Sequence, residues 1–223
     1  MVSVVMAAFN EAPAIGRVVT GVLNALTDAD EVLVVDDGST DGTHEAAMTA
    51  GARVLRLGSN RGKGEALRAG IRESAGEVLV FIDADGQDDP SEIPVLLEAL
   101  DGDTDMVIGS RFSGRLLDGA ITGVNRVGNL FLTRVFNILY GTGLTDTQAG
   151  FRAVRREALD LGRLRARRYE IETELTLHVI RGGGRVKEVP VTRGPRDHGK
   201  SGFIRAWDGM RILARMFSGR LVS

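Results

Sequence analysis

Asp83-Ala84-Asp85 closes the apolar run 78–82, and two carboxylates this close at the end of a strand carry a chemical cost. They repel unless a cation or hydrogen-bond donors compensate them. A hard divalent ion, Mg²⁺ or Mn²⁺, with oxygen ligands and bridging phosphates is the natural partner. Gln87, Asp88 and Asp89 keep the loop polar, and each could add a ligand or hold a bound water. Taken alone, the D-x-D pattern reads equally well as a solvated turn before a helix starting at Ser91.

Two further clusters bear on ligand chemistry. Asp36-Asp37-Gly38-Ser39-Thr40-Asp41-Gly42-Thr43 is a tight loop whose glycines permit φ > 0 and whose Ser39, Thr40 or Asp41 can cap the next helix. Its Asp37 could accept hydrogen bonds from a base N–H or a ribose hydroxyl. Asn60-Arg61-Gly62-Lys63-Gly64 offers two glycines and two cations ahead of a helix, a turn suited to an anion. It lacks the G-x-x-x-x-G-K-[ST] spacing of a nucleoside-triphosphate loop, and a solvated basic turn remains its plain alternative.

The elements that must position these groups are legible from periodicity. Segments 2–8, 31–35, 53–57, 78–82 and 105–108 are short Val/Ile-rich runs bounded by Gly, Asp or Asn, and read as buried strands. Between them 12–26, 43–50, 62–74 and 91–100 have helical spacing, the last with Ser91 as N-cap. This alternation predicts an α/β fold with a mainly parallel sheet covered by helices on both faces. Ligands in such sheets gather beyond the carboxyl ends of the strands. Phe9-Asn10-Glu11, Asp36-Asp37-Gly38-Ser39, Asp83-Ala84-Asp85 and Gly109-Ser110-Arg111 all fall there. Four polar clusters on one edge favour a site over four separate turns.

Beyond residue 120 the pattern loosens. Helical spacing returns at 124–140, with Arg126 and Arg134 among its apolar residues, and again at 169–180, while 186–191 reads as another strand. Glu170, Glu172 and Glu174 read as a partly solvated helix face. The tail 203–221 predicts an amphipathic helix with Trp207, Met210 and Met216 beside Arg205, Arg211 and Arg215. One domain, 1–202, with a C-terminal extension, 203–223, is the simplest division. Each amphipathic helix fits core or homodimer packing, or an anionic membrane surface.

Bulk composition narrows the classes. The 223 residues, 43% hydrophobic, suffice for one well-cored domain, and a net charge of −2 leaves no basic field for nucleic acid. The absence of cysteine excludes disulfides, thiolate nucleophiles and sulfur-bound metals. The N-terminus meets Glu11 without a basic n-region, and no apolar run nears 20 residues. The expected location is cytoplasmic, with peripheral contact at the membrane face open.

The clusters occur in a fixed order, joined by Asp146-Thr147-Gln148-Ala149-Gly150-Phe151-Arg152 and Gly199-Lys200-Ser201. Together they resemble the family 2 inverting glycosyltransferases of the GT-A fold, and within these the dolichol- and polyprenyl-phosphate sugar synthases. The resemblance runs from about residue 3 to residue 203. It departs where Ala7 and Phe9 stand in place of frequent Pro and Tyr, and where Lys200 precedes rather than follows the serine.

The resemblance implies a Rossmann-like, mixed but mainly parallel sheet, and roles for particular residues. Glu11 and Asp37 would contact the donor's nucleoside, with Phe9 beside the base. Lys63 would meet the donor. Asp83 and Asp85, with Ala84 between them and Gln87 beyond, would surround the metal and the diphosphate. Arg111 and Arg126 would address phosphate, making them with Asp85 the catalytic set, and Arg196 and Lys200 would ride a loop that closes over the site.

The acceptor follows from charge. A hydroxyl nucleophile needs a general base, whereas a lipid phosphate is already ionised at neutral pH. Asp146 and Glu170 to Glu174 are candidate bases, but arginines at 111, 126, 152 and 196 suit an anionic acceptor. The expected reaction moves a hexose from UDP-glucose or GDP-mannose to a polyprenyl or dolichyl phosphate. The alternatives are a soluble glycosyltransferase acting on a hydroxyl, or a nucleotide-binding protein without turnover.

Overall fold

The computed structural model describes residues 1–27, 30–196, 198 and 205–221. Strand and helix alternate as β1 (Val2–Ala8), α1 (Ala12–Ala25), β2 (Glu31–Asp36), α2 (Thr43–Thr49), β3 (Arg53–Arg56), α3 (Lys63–Glu73), β4 (Val78–Phe81) and α4 (Ile93–Ala99). The second half holds β5 (Met106–Leu116), α5 (Gly123–Tyr140), β6 (Arg152–Arg155), α6 (Ile171–Arg181), β7 (Val186–Arg193) and α7 (Arg205–Leu221). The strands form one sheet in the order β3-β2-β1-β4-β6-β5-β7, parallel throughout except for β6, which runs antiparallel to both neighbours.

Alternation of side chains along each strand feeds two apolar layers. Val4, Met6, Val34 and Val80 pack with Ile15, Val18, Ile93 and Leu96 from α1 and α4 on one face. Val5, Leu33, Leu79 and Phe81 pack with Leu67, Ile71, Leu175 and Val179 from α3 and α6 on the other. Both faces being buried explains why these strands read as unbroken apolar runs rather than as alternating ones.

This topology dictates where a site can form. After β1 the chain builds outward through β2 and β3, then returns to lay β4 on the opposite side of β1. The connections therefore part between the carboxyl ends of β1 and β4, where Phe9-Asn10-Glu11 and Asp83-Ala84-Asp85 emerge. Because β6 enters antiparallel, with Arg152 opposite Phe81, the loop 146–150 arrives at that same edge.

Four details differ from the sequence expectation. β6 was not anticipated, and β5 runs on to Leu116 along β7 past an irregularity between Ser110 and Arg115. The helix expected from Ser91 begins as a 3₁₀ turn, Pro90–Glu92, and its cap is Asp89, which accepts from the Ser91 N–H at 3.0 Å. The glutamates of α6 are not a solvated face, for Glu170, Glu172 and Glu174 are all buried.

The second-half helices form a third apolar cluster, Leu132 and Phe136 of α5, Leu177 of α6, and Ile212 and Met216 of α7. Arg168 binds Asp208 at 2.9 Å and Arg211 binds Glu170 at 2.7 Å, tying α7 down further. Its inner face is thus packed against the rest of the chain, while the expected division at 202 lies outside the described residues. No helix of the described residues is long and apolar enough to cross a membrane.

Candidate active site at the switch between β1 and β4

Side chain-to-backbone hydrogen bonds lace the edge loops together. Ser39 accepts from the Asn10 N–H at 3.0 Å, the Asn10 side chain accepts from the Thr40 N–H at 2.9 Å, and Thr43 accepts from the Glu11 N–H at 2.8 Å. Asn10 takes φ 56°, a left-handed conformation that asparagine tolerates and that turns Glu11 back over the edge. Asp37 spends both oxygens on the turn ahead of α3, accepting from the Arg61 and Gly62 N–H groups at 2.8 Å each. Burial still pushes its carboxyl above the ordinary range. Asp37 therefore shapes the wall of the cavity it lines.

Asp83 and Asp85 stand at the centre of a charge array. Lys63 lies 2.5 Å from Asp83 and 2.7 Å from Glu172, so its ammonium is an internal counter-ion rather than a free anion site. Burial works against the Asp83 carboxylate, yet Lys63 and Arg193 override it and hold the acid well below its usual range. Asp85 goes the other way, raised first by burial and then by the Asp83 charge. Arg196 reaches Asp85 at 2.9 Å and also pairs with Glu11. Burial pushes Glu11 up to about 7, with Arg196 opposing and the charge of Asp85 adding to the rise. Ala84, between the acids, turns its methyl into the core.

Beneath these acids sits Arg193, at the end of β7. Its guanidinium meets both oxygens of Asp88 at 2.8 Å and the Gln87 side-chain amide oxygen at 2.9 Å, and stands 3.7 Å from Asp83 and 3.9 Å from Asp85. Sequence reading missed it, since nothing marks one arginine after a strand as the counter-ion of acids more than a hundred residues away. It also missed what Gln87 does. The Gln87 amide donates to the Ala120 and Gly194 carbonyls at 3.1 and 2.9 Å and accepts from Arg193. That side chain splices three segments and leaves the acids as the metal-competent groups.

The expected arginines divide sharply. Arg111 lines the cavity, held in a two-pronged pair with Asp146 at 2.6 and 2.7 Å, which removes Asp146 as a base. Arg152 is fully buried and spends itself on the Ala149 and Glu172 carbonyls and the Thr176 hydroxyl, so it meets no acceptor. Arg126 is exposed on α5 and does not line the cavity. Lys200 lies outside the described residues.

Phe9, Glu11, Asp37, Lys63, Asp83, Ala84, Asp85, Gln87, Arg111 and Arg196 all border one cavity of about 950 Å³. One side is charged and built from the sheet edge. The other is apolar and comes from α5 and α7, including Val124, Phe131, Met210 and Leu213. Gly150 lies against Asp83, where an added Cβ would stand 2.9 and 3.0 Å from the carboxylate oxygens.

Two hard carboxylates fit Mg²⁺ or Mn²⁺. Among the described residues no group of three acids or imidazoles forms a cage of its own. The donor set therefore suits a cation that arrives with phosphate oxygens to complete its shell, and a cation there would relieve the repulsion that raises Asp85.

A family model, glycosyl transferase family 2, matches residues 3–162. Glycosyltransferase AglJ of Haloferax volcanii is 37% identical over 75% of this chain and 55% of its own length. The chain thus spans little more than half of that relative. Undecaprenyl-phosphate mannosyltransferase of Micrococcus luteus is 33% identical over 91% of this chain and 94% of its own. Among solved structures, glucosyl-3-phosphoglycerate synthase from Mycobacterium tuberculosis, in complex with Mn²⁺, uridine diphosphate and glucosyl-3-phosphoglycerate, aligns with a TM-score of 0.74. It is 26% identical over 98% of this chain and 79% of that one.

Proposed function

Because this chain belongs to glycosyl transferase family 2, we propose that it moves a hexose, with inversion, from UDP-glucose or GDP-mannose to a polyprenyl phosphate at a membrane surface. The observation that carries this reading is the two-sided cavity. A nucleotide sugar is apolar only on the faces of its base, and leaves most of the apolar side that α5 and α7 supply without a partner. An acceptor with an anionic head and a long isoprenoid tail uses both. The lipid-phosphate acceptor named in the Micrococcus luteus relative supports the same choice.

Asp83 and Asp85 would hold the divalent ion together with the donor diphosphate, and the ion would offset charge building on the leaving nucleotide. Phe9 and Glu11 border the cavity and would meet the nucleoside. Arg111, fixed by Asp146, offers a positioned cation for the acceptor phosphate, whose ionised oxygen attacks without a base. Glu170 and Glu174 are consumed by Arg211 and Arg215, which agrees with a reaction needing no carboxylate base from that pair.

What α5 and α7 leave outside supports contact with a membrane. Val124, Val127, Phe131 and Ile138 share one exposed stripe of α5, and Trp207, Met210 and Phe217 one of α7. α5 carries no acidic residue, and its Arg126 and Arg134 are exposed. Apolar residues flanked by unopposed arginines suit an anionic bilayer. The double variant Val127→Glu/Ile138→Glu, neither residue lining the cavity, should weaken binding to anionic vesicles about 10-fold or more. Turnover with a short, water-soluble prenyl phosphate should be unchanged. Equal vesicle binding by sedimentation would sink the membrane reading.

The direct test is nucleotide release from UDP- and GDP-sugars with Mn²⁺, with and without a polyprenyl phosphate. Release that requires the lipid and yields an acid-labile glycolipid supports the proposal, whereas turnover driven by a soluble hydroxylated acceptor overturns it. Gly150→Ala should lower kcat/KM about 10- to 100-fold without unfolding the chain, because Lys63 pins the Asp83 carboxylate that the new methyl must displace. A variant that keeps full rate would show that Asp83 need not hold this position.

A further inference from the structure

Four buried side-chain atoms of the described residues lack a hydrogen-bond partner, and only Glu172 among their owners lines the cavity. Glu172 is 5% exposed. Its Oε1 is 2.7 Å from the Lys63 ammonium, and that ammonium is 2.5 Å from Asp83. One lysine therefore couples Glu172 to the first carboxylate of the pair that would carry the donor diphosphate. Its Oε2 accepts from nothing. A buried acceptor left empty is costly, and one that faces a ligand cavity is open to a donor that arrives with the ligand.

Gln148 points to the same kind of ligand. It borders the cavity, and its amide nitrogen donates to the Thr147 and Thr173 hydroxyls at 2.9 and 3.2 Å. Both N–H groups are thus committed, which turns the carbonyl oxygen into a second fixed acceptor. Thr173 adjoins Glu172 on α6, so the amide is anchored to the element that carries the carboxylate. Two acceptors with no donor to spare recognise hydroxyl groups. They give an anionic phosphate nothing to bind.

We propose that Glu172 accepts a hydrogen bond from a hydroxyl of the hexose being transferred and thereby selects which hexose the enzyme uses. The proposal rests on the nucleotide-sugar reading above. It gives Glu172 a specificity role distinct from the metal-holding role of Asp83 and from general-base chemistry.

The test uses the full chain with Mn²⁺, a polyprenyl phosphate, and UDP-glucose, UDP-galactose and GDP-mannose. The 2-, 3-, 4- and 6-deoxy analogues of the best donor follow. Wild type should lose about 10²-fold in kcat/KM on one deoxy analogue, since a site built to bind a hydroxyl rejects the sugar that lacks it. Glu172→Met should lose about 10²-fold on the parent sugar but little more on that analogue. Glu172→Gln keeps a weaker acceptor, and should fall about 10-fold and discriminate less. It also serves if the methionine variant fails to fold.

Affinity for the bare nucleoside diphosphate with Mn²⁺ should stay within about twofold in both variants. An equal loss on every donor, deoxy sugars included, would make Glu172 a base or a structural counter-ion and overturn the proposal. So would a parallel loss of diphosphate affinity. A wild type that releases nucleotide from no sugar donor sinks the donor reading itself, before any variant is made.

Discussion

Replacing Asp85 with alanine is expected to cut hexose transfer by about 10³-fold or more while leaving the fold as stable as before, or more so. The two effects diverge because the acid is held against its own preference. Asp85 is buried beside Asp83, and its raised pKa records first the lost hydration and then the like charge. Removing it relieves Asp83 and Asp88 of a repelling neighbour. Arg196 loses one partner and keeps Glu11. Transfer suffers for the opposite reason, since a lone Asp83, already satisfied by Lys63, has little to offer a divalent ion. Calorimetric titration of a nucleoside diphosphate should find that Mn²⁺ strengthens binding to wild type and no longer does so in the variant. Thermal unfolding should show no drop in midpoint. A variant that keeps a tenth of wild-type kcat/KM would remove Asp85 from the mechanism.

The central sheet was legible because both of its faces are buried. Runs such as 2–8 and 31–35 carry apolar residues for two layers at once, and no helix among the described residues is so uniformly apolar. The same logic hid β6. Its four residues begin and end with arginine, and Arg152 is buried through hydrogen bonds to carbonyls rather than through hydrophobicity. Pattern reading registers transfer preference, not satisfied polar burial.

α6 failed differently, and a signal was available. Glutamates at 170, 172 and 174 cannot share one helix face, since successive positions turn about 100°. Glu170 and Glu174 fall together and meet Arg211 and Arg215, themselves four apart on α7. Glu172 is left on the other side, toward Lys63 and the cavity. Angular bookkeeping would have separated the structural pair from the cavity acid. The acids at the ends of β1, β2 and β4 were placed correctly because loop position follows from strand order alone. Their counter-ions were not, because Lys63, Arg193 and Arg196 come from three distant segments and only the folded chain brings them together.

Arg193→Met should be the most destabilising single change at this site, by about 3–5 kcal/mol, because it strands a buried carboxylate rather than removing a favourable contact. Arg193 is 7% exposed and Asp88 is 3% exposed, so solvent cannot take over the lost charge. Methionine replaces much of the stem's volume, which isolates the charge effect from a cavity effect. Burial already raises Asp88 above the usual carboxylate range, with Arg193 the largest opposing influence.

The loss of Arg193 raises Asp88 further, and this fixes the pH dependence. A carboxyl whose pKa increases on folding takes up protons as the chain folds, so folding is favoured as pH falls. In metal-free buffer the deficit should therefore be largest near about pH 7–8 and shrink toward about pH 5. A second substitution, Asp88→Asn, removes the stranded charge and should restore most of the stability, leaving a coupling of about 2 kcal/mol or more between the two sites. Urea unfolding of wild type, both single variants and the double variant at the two pH values measures every term. If Arg193→Met unfolds within about 1 kcal/mol of wild type at neutral pH, the acids beneath the site do not depend on this arginine. If the deficit is instead the same at both pH values, the loss comes from packing and not from charge.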